Sequence, residues 1–307
     1  MTGKGLVALT GATGFVGQAL VDAAFEHGLD LRALTRKPQQ PRSNLTWIEG
    51  DLSDRPALDR LVAGVEAVIH VAGVVNAPDA VGFEAGNVAG TMELVEAAVA
   101  AGVPRLIFVS SLAAREPQLS DYGASKARAE RIVAASGLDW TIVRPPAIYG
   151  PRDREMFELF RAARLGVVPM PSGNGRASLI HVSDLAELLL ALLAGGEDVT
   201  HHLFEADDGR EQGWSHRELA RMIGWSVGRR PWVPHLSKPV LEALARADRL
   251  FRRDKAKLTL DRVAYMTHPD WVVNPALAVP DSRWIPRIAT RDGMAATAQW
   301  YREAGWL

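Results

Sequence analysis

The sequence contains no cysteine. This absence excludes disulfide bonds, thiolate zinc sites, iron–sulfur clusters and cysteine nucleophiles. The chain also lacks an excess of one charge, because 35 basic and 36 acidic side chains give a formal net charge of −1. Without an overall basic field, any binding of a polyanion would have to come from a local basic patch. We therefore expect no nucleic-acid partner.

Long hydrophobic runs are missing as well. The most apolar segment, residues 185–194, is interrupted by Glu187 and followed by two glycines, which leaves it well short of the ~20 residues that span a bilayer. The residues before Leu6 lead into an apolar run that is too brief for a secretory signal. The sequence therefore predicts a soluble, cytoplasmic protein.

Tryptophan is present but unevenly distributed. Of the nine tryptophans, only Trp47 and Trp140 precede residue 200. At ~150 residues per domain, a chain of 307 residues has room for two domains. The asymmetry therefore indicates two regions with different roles.

The first half alternates between strand and helix patterns. Short apolar runs bounded by turn residues predict six strands, at 6–10, 31–35, 45–49, 67–71, 105–110 and 140–143. Amphipathic patterns between them predict helices, the clearest at 15–23, 88–101 and 122–135. This alternation is typical of a doubly wound α/β fold with a parallel Rossmann sheet, in which ligands bind at the carboxyl ends of the strands.

After about residue 150 the regularity fades. Turns rich in proline and glycine separate short elements, and helical patterns return at 184–193, 217–223 and 239–251. We predict a Rossmann domain over residues 1–165 and a smaller, loop-rich substrate domain over 166–307, with elements of the two interleaved.

A glycine-rich turn joins the first strand to the first helix. Gly11, Gly14 and Gly17 follow the strand directly. Glycine allows a tight turn, leaves room for a pyrophosphate beside the backbone, and lets helix and strand pack closely. The helix N-terminus then presents N–H groups and positive partial charge to the phosphates. The turn predicts dinucleotide binding.

The end of the second strand indicates which nicotinamide cofactor is bound. An acidic residue there would accept hydrogen bonds from the adenosine ribose, but the strand is followed by Arg36 and Lys37. A guanidinium suits a 2′-phosphate, so we predict NADP(H), with NAD(H) as the alternative and a solvated basic loop as the structural interpretation. Asp51, after the third strand, is interpreted either as an acceptor for the adenine amino group or as a helix N-cap.

The order of these motifs resembles the extended short-chain dehydrogenase/reductase family. The similar segments cover about residues 5–190 and are Thr10–Gly17, Gly50–Leu52, His70–Gly73, Asn87–Thr91, Val109–Ser111, Tyr122–Lys126, Arg144–Pro146 and His181–Asp184. The last third is similar to the family only loosely.

The resemblance implies a catalytic group made of Tyr122, Lys126 and Ser111. Residues four apart share a helix face, so Tyr122 and Lys126 can both point into one cleft. A free phenol titrates near ~10, and a neighbouring ammonium and an oxidised nicotinamide favour its phenolate. Tyr122 is then the acid/base, Lys126 also holds the nicotinamide ribose, and Ser111 hydrogen-bonds the substrate oxygen. Asn87 resembles the family's active-site asparagine, or else caps its helix.

Further positions follow from the resemblance alone. Ala72 and Gly73 are expected near a cofactor ribose, and Pro145 and Ile148 beside the nicotinamide. The full set expected along the cofactor is Gly11, Thr13, Gly14, Phe15, Val16, Gly17, Arg36, Lys37, Asp51, Leu52, Ala72, Gly73, Tyr122, Lys126, Pro145 and Ile148.

Two histidine motifs are interpreted as structural. His181 and Asp184 are expected to fix a junction between domains. His201 and His202 lack nearby carboxylates at metal-ligand spacing, so we predict no metal.

The implied reaction is hydride transfer between a carbonyl and an alcohol of a small molecule. Sugar dehydratases of the family carry an Asp-Glu pair beside the catalytic serine, whereas Leu112 and Ala113 follow Ser111 here. A nucleotide-sugar epimerase using the same residues stays open. So does a non-catalytic NADPH-binding scaffold similar to the accessory subunit of respiratory complex I. A homodimer through the helices at 84–101 and 122–135 is implied by analogy.

The segment 239–251 places Val240, Leu241, Leu244, Ala247 and Phe251 on one helix face, beside a tract over 246–262 with seven basic and three acidic residues. We favour packing on the second domain. The alternative is a contact with a membrane surface or a hydrophobic substrate.

Overall fold

A computed structural model describes residues 5–253 and 256–307. The first four residues of the predicted N-terminal stretch lie outside the described residues. So do Asp254 and Lys255 of the basic tract.

Seven strands of the described residues form one parallel sheet in the order β11-β6-β5-β4-β1-β2-β3. The strands are β1 (Leu6–Thr10), β2 (Asp30–Thr35), β3 (Leu45–Glu49), β4 (Ala67–His70), β5 (Arg105–Val109), β6 (Asp139–Arg144) and β11 (His202–Glu205). The chain order reverses between β1 and β4, and ligands of doubly wound sheets bind at such a reversal. The predicted doubly wound fold is confirmed.

The strands are apolar because both faces of the sheet are covered. Every residue of β4 and β5 is buried, which is the pattern of the central strands of a parallel sheet. Their register places His70 beside Phe108, at the carboxyl ends of the two strands. Sequence patterns missed only β11 among the seven, since this edge strand is short and begins with an exposed histidine.

Helices connect the strands and cover the sheet. The described α-helices are α1 (Phe15–Glu26), α2 (Arg55–Val62), α3 (Ala80–Phe83), α4 (Gly90–Ala100), α5 (Asp121–Ala134), α6 (Phe157–Arg164), α7 (Val182–Ala191), α8 (His216–Ser226), α9 (Lys238–Arg252), α10 (Leu260–Met266) and α11 (Thr290–Glu303). A π-helical segment, Glu84–Ala89, leads directly into α4.

The chain divides into two compact units, each assembled from separate segments. Unit 1 contains the described parts of Met1–Pro145, with Leu185–Glu205 and Leu277–Ile285. Unit 2 contains Pro146–Asp184, the described parts of Ala206–Ala276, and Pro286–Leu307. The seven-stranded sheet lies entirely in unit 1.

Unit 2 is built from short strands and helices around an aromatic core. Its strands are β7 (Ala147–Tyr149), β8 (Met170–Pro171), β9 (Arg176–Ala177), β10 (Leu179–His181), β12 (Trp214–Ser215), β13 (His235–Leu236) and β14 (Asp270–Trp271). They pair as β10-β7, β12-β9-β14 and β13-β8. The core contains Phe160 and Tyr301, both fully buried with ring centroids 5.1 Å apart.

Candidate active site

The glycine turn has the geometry that its sequence predicts. Gly11 has φ +77°, and a Cβ there would lie 2.7 Å from the Ala72 nitrogen. A Cβ on Gly17 would lie 2.0 Å from the Gly11 oxygen. These positions accept only glycine without movement of the backbone. Helix α1 begins at Phe15, and Gly14 is its N-cap. The first N–H groups of α1 therefore lie at the carboxyl end of β1, beside a turn whose glycines carry no side chains.

This cradle fits the pyrophosphate of a dinucleotide. Gly73 follows β4 and is exposed, and a Cβ on it would lie 3.1 Å from Asn87 Oδ1 and 3.7 Å from Lys126 Nζ. The backbone after β4 therefore runs close to the two polar side chains expected at the reacting end of the cofactor. Thr13 is exposed, while Phe15, Val16 and Ala72 are partly buried along the same edge.

Two cationic side chains follow β2. Arg36 and Lys37 are exposed directly after Thr35. Hydrogen bonds from the Ser53 hydroxyl and N–H, together with the charge of Arg36, lower the pKa of Asp51. Asp51 therefore lies within electrostatic reach of Arg36. The N-cap of α2 is Asp54, whose carboxylate accepts from the Ala57 N–H, so the interpretation of Asp51 as that cap is wrong.

Tyr122 and Lys126 lie one turn apart on α5. The side chain of Ser120 caps this helix by accepting from the Gly123 N–H at 2.9 Å. Tyr122 is partly buried, with its ring centroid 6.0 Å from that of Phe83. Lys126 is buried and donates to the Val109 carbonyl at 2.8 Å, while its Nζ lies 4.4 Å from the Phe108 ring centroid. The ammonium is thereby held at the carboxyl end of β5.

Burial changes the protonation of this lysine. Desolvation lowers the pKa of Lys126 to about 8, against a smaller opposing effect of Glu130. Lys126 is thus mostly protonated at neutral pH but holds its proton weakly. A cation that is removed from water acts strongly on neighbouring groups because the local dielectric is low.

Ser111 begins a 3₁₀ turn, Leu112–Arg115, and is partly buried. Its hydroxyl oxygen accepts from the Ala113 N–H at 3.2 Å. The following residue, Leu112, donates its N–H to the carbonyl of Pro145 at 3.0 Å. This bond fixes the loop after β5 against the end of β6, and Ser111 and Pro145 are therefore positioned together. Pro145 itself is buried.

Asn87 lies inside the π-helical segment and does not cap a helix. Its Nδ2 donates to the Val74 carbonyl and to the Ser125 hydroxyl, each at 2.9 Å, and its Oδ1 accepts from the Val74 N–H at 2.7 Å. Ser125 in turn donates to the Tyr122 carbonyl at 2.8 Å. Asn87 thus connects the backbone after β4 to the helix that carries Tyr122. Single π-helical turns are frequent at functional sites.

A buried hydrogen-bond chain joins this asparagine to the glycine turn. Thr91 donates to the Asn87 carbonyl, so its hydroxyl oxygen is left to accept from His70 Nε2 at 3.0 Å. The other ring nitrogen, Nδ1, then accepts from the Thr10 hydroxyl at 2.6 Å, and Thr10 accepts from the Ala72 N–H. Burial, reinforced by Lys126, lowers the pKa of His70 to about 3. The network therefore assigns a neutral imidazole with its proton on Nε2.

Sequence patterns include His70 in a motif without indicating a role for it. Its position at the end of a buried strand, four residues into an apolar run, is the signal that could have found it, because a polar group there needs partners.

A second buried network supports the loop after β5. Glu130 of α5 accepts from Ser110 at 2.5 Å and from Arg144 through both carboxylate oxygens, at 2.8 and 2.6 Å. Arg144 also lies 3.6 Å from the fully buried carboxylate of Glu205. These contacts join α5, β5, β6 and β11 directly beside Ser111. They were not predicted, because the pairing depends on residues far apart in the sequence.

Four further positions predicted from the sequence pack or hydrogen-bond within their own units, namely Leu52, Ile148, His181 and Asp184. Leu52 packs against Gly90, where a Cβ would meet its side chain at 2.8 Å. Ile148 lies on β7 in unit 2, partly buried. Asp184 accepts from the N–H groups of Arg287 and Ile288 at 3.1 and 3.0 Å, and the His181 ring packs edge-on to Tyr149 at 5.2 Å.

The adjacent histidines at 201 and 202 hydrogen-bond to backbone carbonyls of Leu138 and Thr200. Among the described residues there is no cluster of three His, Asp or Glu side chains suited to a metal ion. Within the same residues no helix is both long and apolar enough to cross a membrane.

Comparison with known proteins identifies the family. Residues 7–204 match the model of the NAD-dependent epimerase/dehydratase family. The chain belongs to this family. It is an NAD(P)-dependent oxidoreductase of the extended short-chain dehydrogenase/reductase type, as the sequence predicts, and its curated relatives include reductases.

Two such relatives match nearly the whole chain. A ceramide reductase of Caulobacter vibrioides is 40% identical over 99% of this chain and 96% of its own length. A 2-alkyl-3-oxoalkanoate reductase of Stenotrophomonas maltophilia is 28% identical over 94% of this chain and 97% of its own. Among solved structures, MoeE5 in complex with UDP-glucose and NAD shares the fold, with a TM-score of 0.77 at 24% identity over 98% of this chain and 99% of that one.

Proposed function

We propose that this oxidoreductase reduces a ketone to a secondary alcohol on a substrate with long hydrocarbon chains, with NADPH as reductant and Tyr122 as general acid. The observation that carries the proposal is the position of Tyr122 and Lys126 one turn apart on α5. The Lys126 ammonium is fixed by the Val109 carbonyl at 2.8 Å and would lie 3.7 Å from a Cβ on Gly73. The charge therefore lies next to the backbone expected along the cofactor.

Side chains of the protein carry out the proton transfer. As the carbonyl oxygen of the substrate becomes an alkoxide, the phenol of Tyr122 donates its proton to that oxygen and becomes a phenolate. The charge of Lys126 stabilises the phenolate, and solvent later returns a proton to it. The Ser111 hydroxyl donates a hydrogen bond to the same substrate oxygen and orients it. When bound, a reduced nicotinamide supplies the hydride that the carbonyl carbon gains.

Asn87 acts through other residues. Its three hydrogen bonds to Val74 and Ser125 hold the segment after β4 and the first turn of α5 at a fixed separation. These bonds thereby fix the position of Tyr122 relative to the backbone at Gly73. Preorganisation of this kind lowers the reorganisation that the reaction requires.

The preference for NADP(H) is supported by charge. Arg36 and Lys37 are exposed after β2, at the position where an acidic residue would serve NAD. A guanidinium can bind a 2′-phosphate through two parallel hydrogen bonds. Asp51, oriented by Ser53, is the proposed acceptor for the adenine amino group.

The substrate class is supported by the reductases that resemble this chain. One is named for ceramide and the other for a 2-alkyl-3-oxoalkanoate, and both names denote a molecule with hydrocarbon chains. We infer an oxo group flanked by such chains, bound with the participation of residues 166–307.

Turnover of defined substrates tests the proposal. The purified protein is given NADPH and an N-acyl 3-oxo long-chain base or a 2-alkyl-3-oxoalkanoate. Loss of nicotinamide absorbance is followed, and the alcohol is identified by mass spectrometry. We expect stoichiometric NADPH oxidation with both substrates. The proposal fails if neither ketone is reduced, and 4-epimerisation of a UDP-sugar with retained NAD would assign the same residues to an epimerase.

A further inference from the structure

One face of α9 exposes an apolar stripe. Val240, Leu244, Ala247 and Phe251 follow each other at intervals of four, three and four residues, which places them along one side of the helix. Val240 and Leu244 are 45% and 47% exposed, and Phe251 is 85% exposed. Leu250, beside the stripe, is 77% exposed. These large side chains are exposed to solvent, although the same part of unit 2 has an apolar core formed by Leu241, Ala245 and Val263.

The packing of α9 uses a different face. Leu241 and Ala245 are buried against Val263 of α10. The sequence pattern placed Leu241 with the other apolar residues, and the structure separates it from them. The expectation that the apolar face of this helix packs on its own domain therefore holds for Leu241 and is wrong for Val240, Leu244 and Phe251.

The same helix carries a local positive charge. Residues 238–253 contain five basic and two acidic side chains, whereas the whole chain has a formal charge of −1. Glu242 lies 3.5 Å from Arg246, and Asp248 lies 3.3 Å from Arg252. The two acids neutralise at most two of the five cations. A net charge of +3 therefore borders the apolar stripe.

An open groove of about 440 Å³ runs beside the stripe. Its apolar lining is Leu244, Ala247, Phe251 and Leu258, and its charged lining consists of two ion pairs, Arg252 with Asp248 at 3.3 Å and Lys257 with Glu158 at 2.5 Å. The apolar walls of the groove suit an acyl chain, and the net positive charge of α9 suits an anionic headgroup.

We propose that α9 docks on the surface of an anionic lipid bilayer, with Leu250 and Phe251 inserted among the acyl chains and the arginines facing lipid phosphates. The positive charge of α9 favours an anionic bilayer over a second copy of the chain as the binding partner. A second copy of the chain would bring the same +3 helix against this one if the faces paired, whereas an anionic membrane complements it. The docking goes beyond the proposed reductase activity and involves none of the residues at the candidate active site.

Vesicle flotation tests the docking without substrate or cofactor. The full-length protein is mixed with vesicles of phosphatidylcholine alone or of phosphatidylcholine with phosphatidylglycerol. We expect flotation with the mixed vesicles, weakening as salt is raised because screening reduces the attraction. The double variant Leu250→Ser/Phe251→Ser should bind roughly tenfold more weakly. Arg246→Ser and Arg249→Ser should each weaken binding about fivefold.

A matched control comes from the end of α6. Leu165 is 82% exposed and does not belong to α9, so Leu165→Ser should float like the wild type. Thermal unfolding of each variant shows that the fold is kept. The proposal is overturned if wild type does not float with anionic vesicles, or if the α9 variants float unchanged. It is equally overturned if hydrodynamic measurements find a dimer that the double variant dissociates, because a second copy then covers the stripe.

Reductase assays separate this proposal from the proposed function. With a short, water-soluble 3-oxo ester and no vesicles, the α9 variants should turn over like the wild type. Lost flotation with full turnover would leave the reductase assignment intact, and flotation without turnover would leave the docking intact.

Discussion

The two units of this oxidoreductase are stabilised in different ways. Unit 1 is a parallel sheet whose central strands are wholly buried, and its polar residues form two buried networks around His70 and Glu130. Unit 2 has strands of two or three residues, too short to form a large sheet. Its core is instead a cluster of rings, in which Tyr301 lies 5.0 Å from Phe157 and 5.7 Å from Trp306.

The candidate catalytic residues and the aromatic core therefore lie in different units. The catalytic candidates Tyr122, Lys126, Ser111 and Asn87 all lie in unit 1, where hydrogen bonds fix their positions. The aromatic residues of unit 2 stabilise by area and ring geometry. Changes in unit 1 should therefore alter rate, cofactor selection or pH response, and changes in the ring cluster should alter the free energy of unfolding.

The largest expected effect is on catalysis. Tyr122→Phe removes the proposed proton donor and should lower kcat by about 10³-fold, because general acid catalysis contributes in this range. NADPH affinity, measured by fluorescence titration, should stay within about twofold, since the ring and its contact with Phe83 remain. A variant that keeps more than a tenth of wild-type kcat would show that another group donates the proton.

The next effect is on stability, and it tests whether the core of unit 2 can be weakened without a change in kcat. Phe160 is fully buried beside Tyr301, so Phe160→Ala should lower the free energy of unfolding by about 4 kcal/mol. Denaturant titration measures this, and kcat per folded molecule should be unchanged. Leu165→Ala, at an exposed site, serves as the control and should change stability by less than about 0.5 kcal/mol. Equal losses at both sites would contradict the assignment of Phe160 to the core.

A smaller effect concerns cofactor choice. Arg36→Ala should weaken NADPH binding by about 30-fold while NADH binding stays unchanged, because only the former loses a charge-assisted pair of hydrogen bonds. Isothermal titration with each cofactor measures both affinities. Lys37→Ala, which removes a neighbouring point charge, should have a lesser effect. Equal weakening of the two cofactors by Arg36→Ala would remove the basis for NADP(H).

The smallest effect is a pH dependence of stability. Because His70 has a folded-state pKa of about 3, its imidazole binds a proton below pH ~6.5 only in the unfolded state, and the contribution of His70 to stability falls as the pH is lowered. Between pH ~6.5 and ~5 this loss should be about 1.5 kcal/mol. His70→Gln can keep both hydrogen bonds but does not titrate, so its unfolding free energy should fall less over this interval. Parallel profiles for the wild type and His70→Gln would show that the imidazole is not held neutral.

Much of unit 1 follows from local sequence pattern. The bounds of β1 and β3 are those that hydrophobic runs predict, and α1 and α5 begin within one residue of their predicted starts. Glycines at 11 and 17 could be assigned because their requirement is local: a Cβ at either position meets backbone. By contrast, β11 and the aromatic core of unit 2 have no local period that distinguishes them. The side-chain pairing of Asn87 with Val74 and Ser125 joins three segments, so no sequence window contains it.

The sequence by itself determined the fold class, the glycine turn and the Tyr122 and Lys126 pair, because each depends on residues within a few positions of one another. The absence of cysteine, which is a property of composition alone, excluded thiol chemistry and agrees with the proposed mechanism, which uses a phenol, an ammonium, a hydroxyl and a hydride from the cofactor. Only the tertiary structure decided the protonation of His70 and Lys126, the network through Arg144, and which residues of α9 face water. These properties depend on burial and on partners that lie far away in the chain, and burial is a property of the folded molecule.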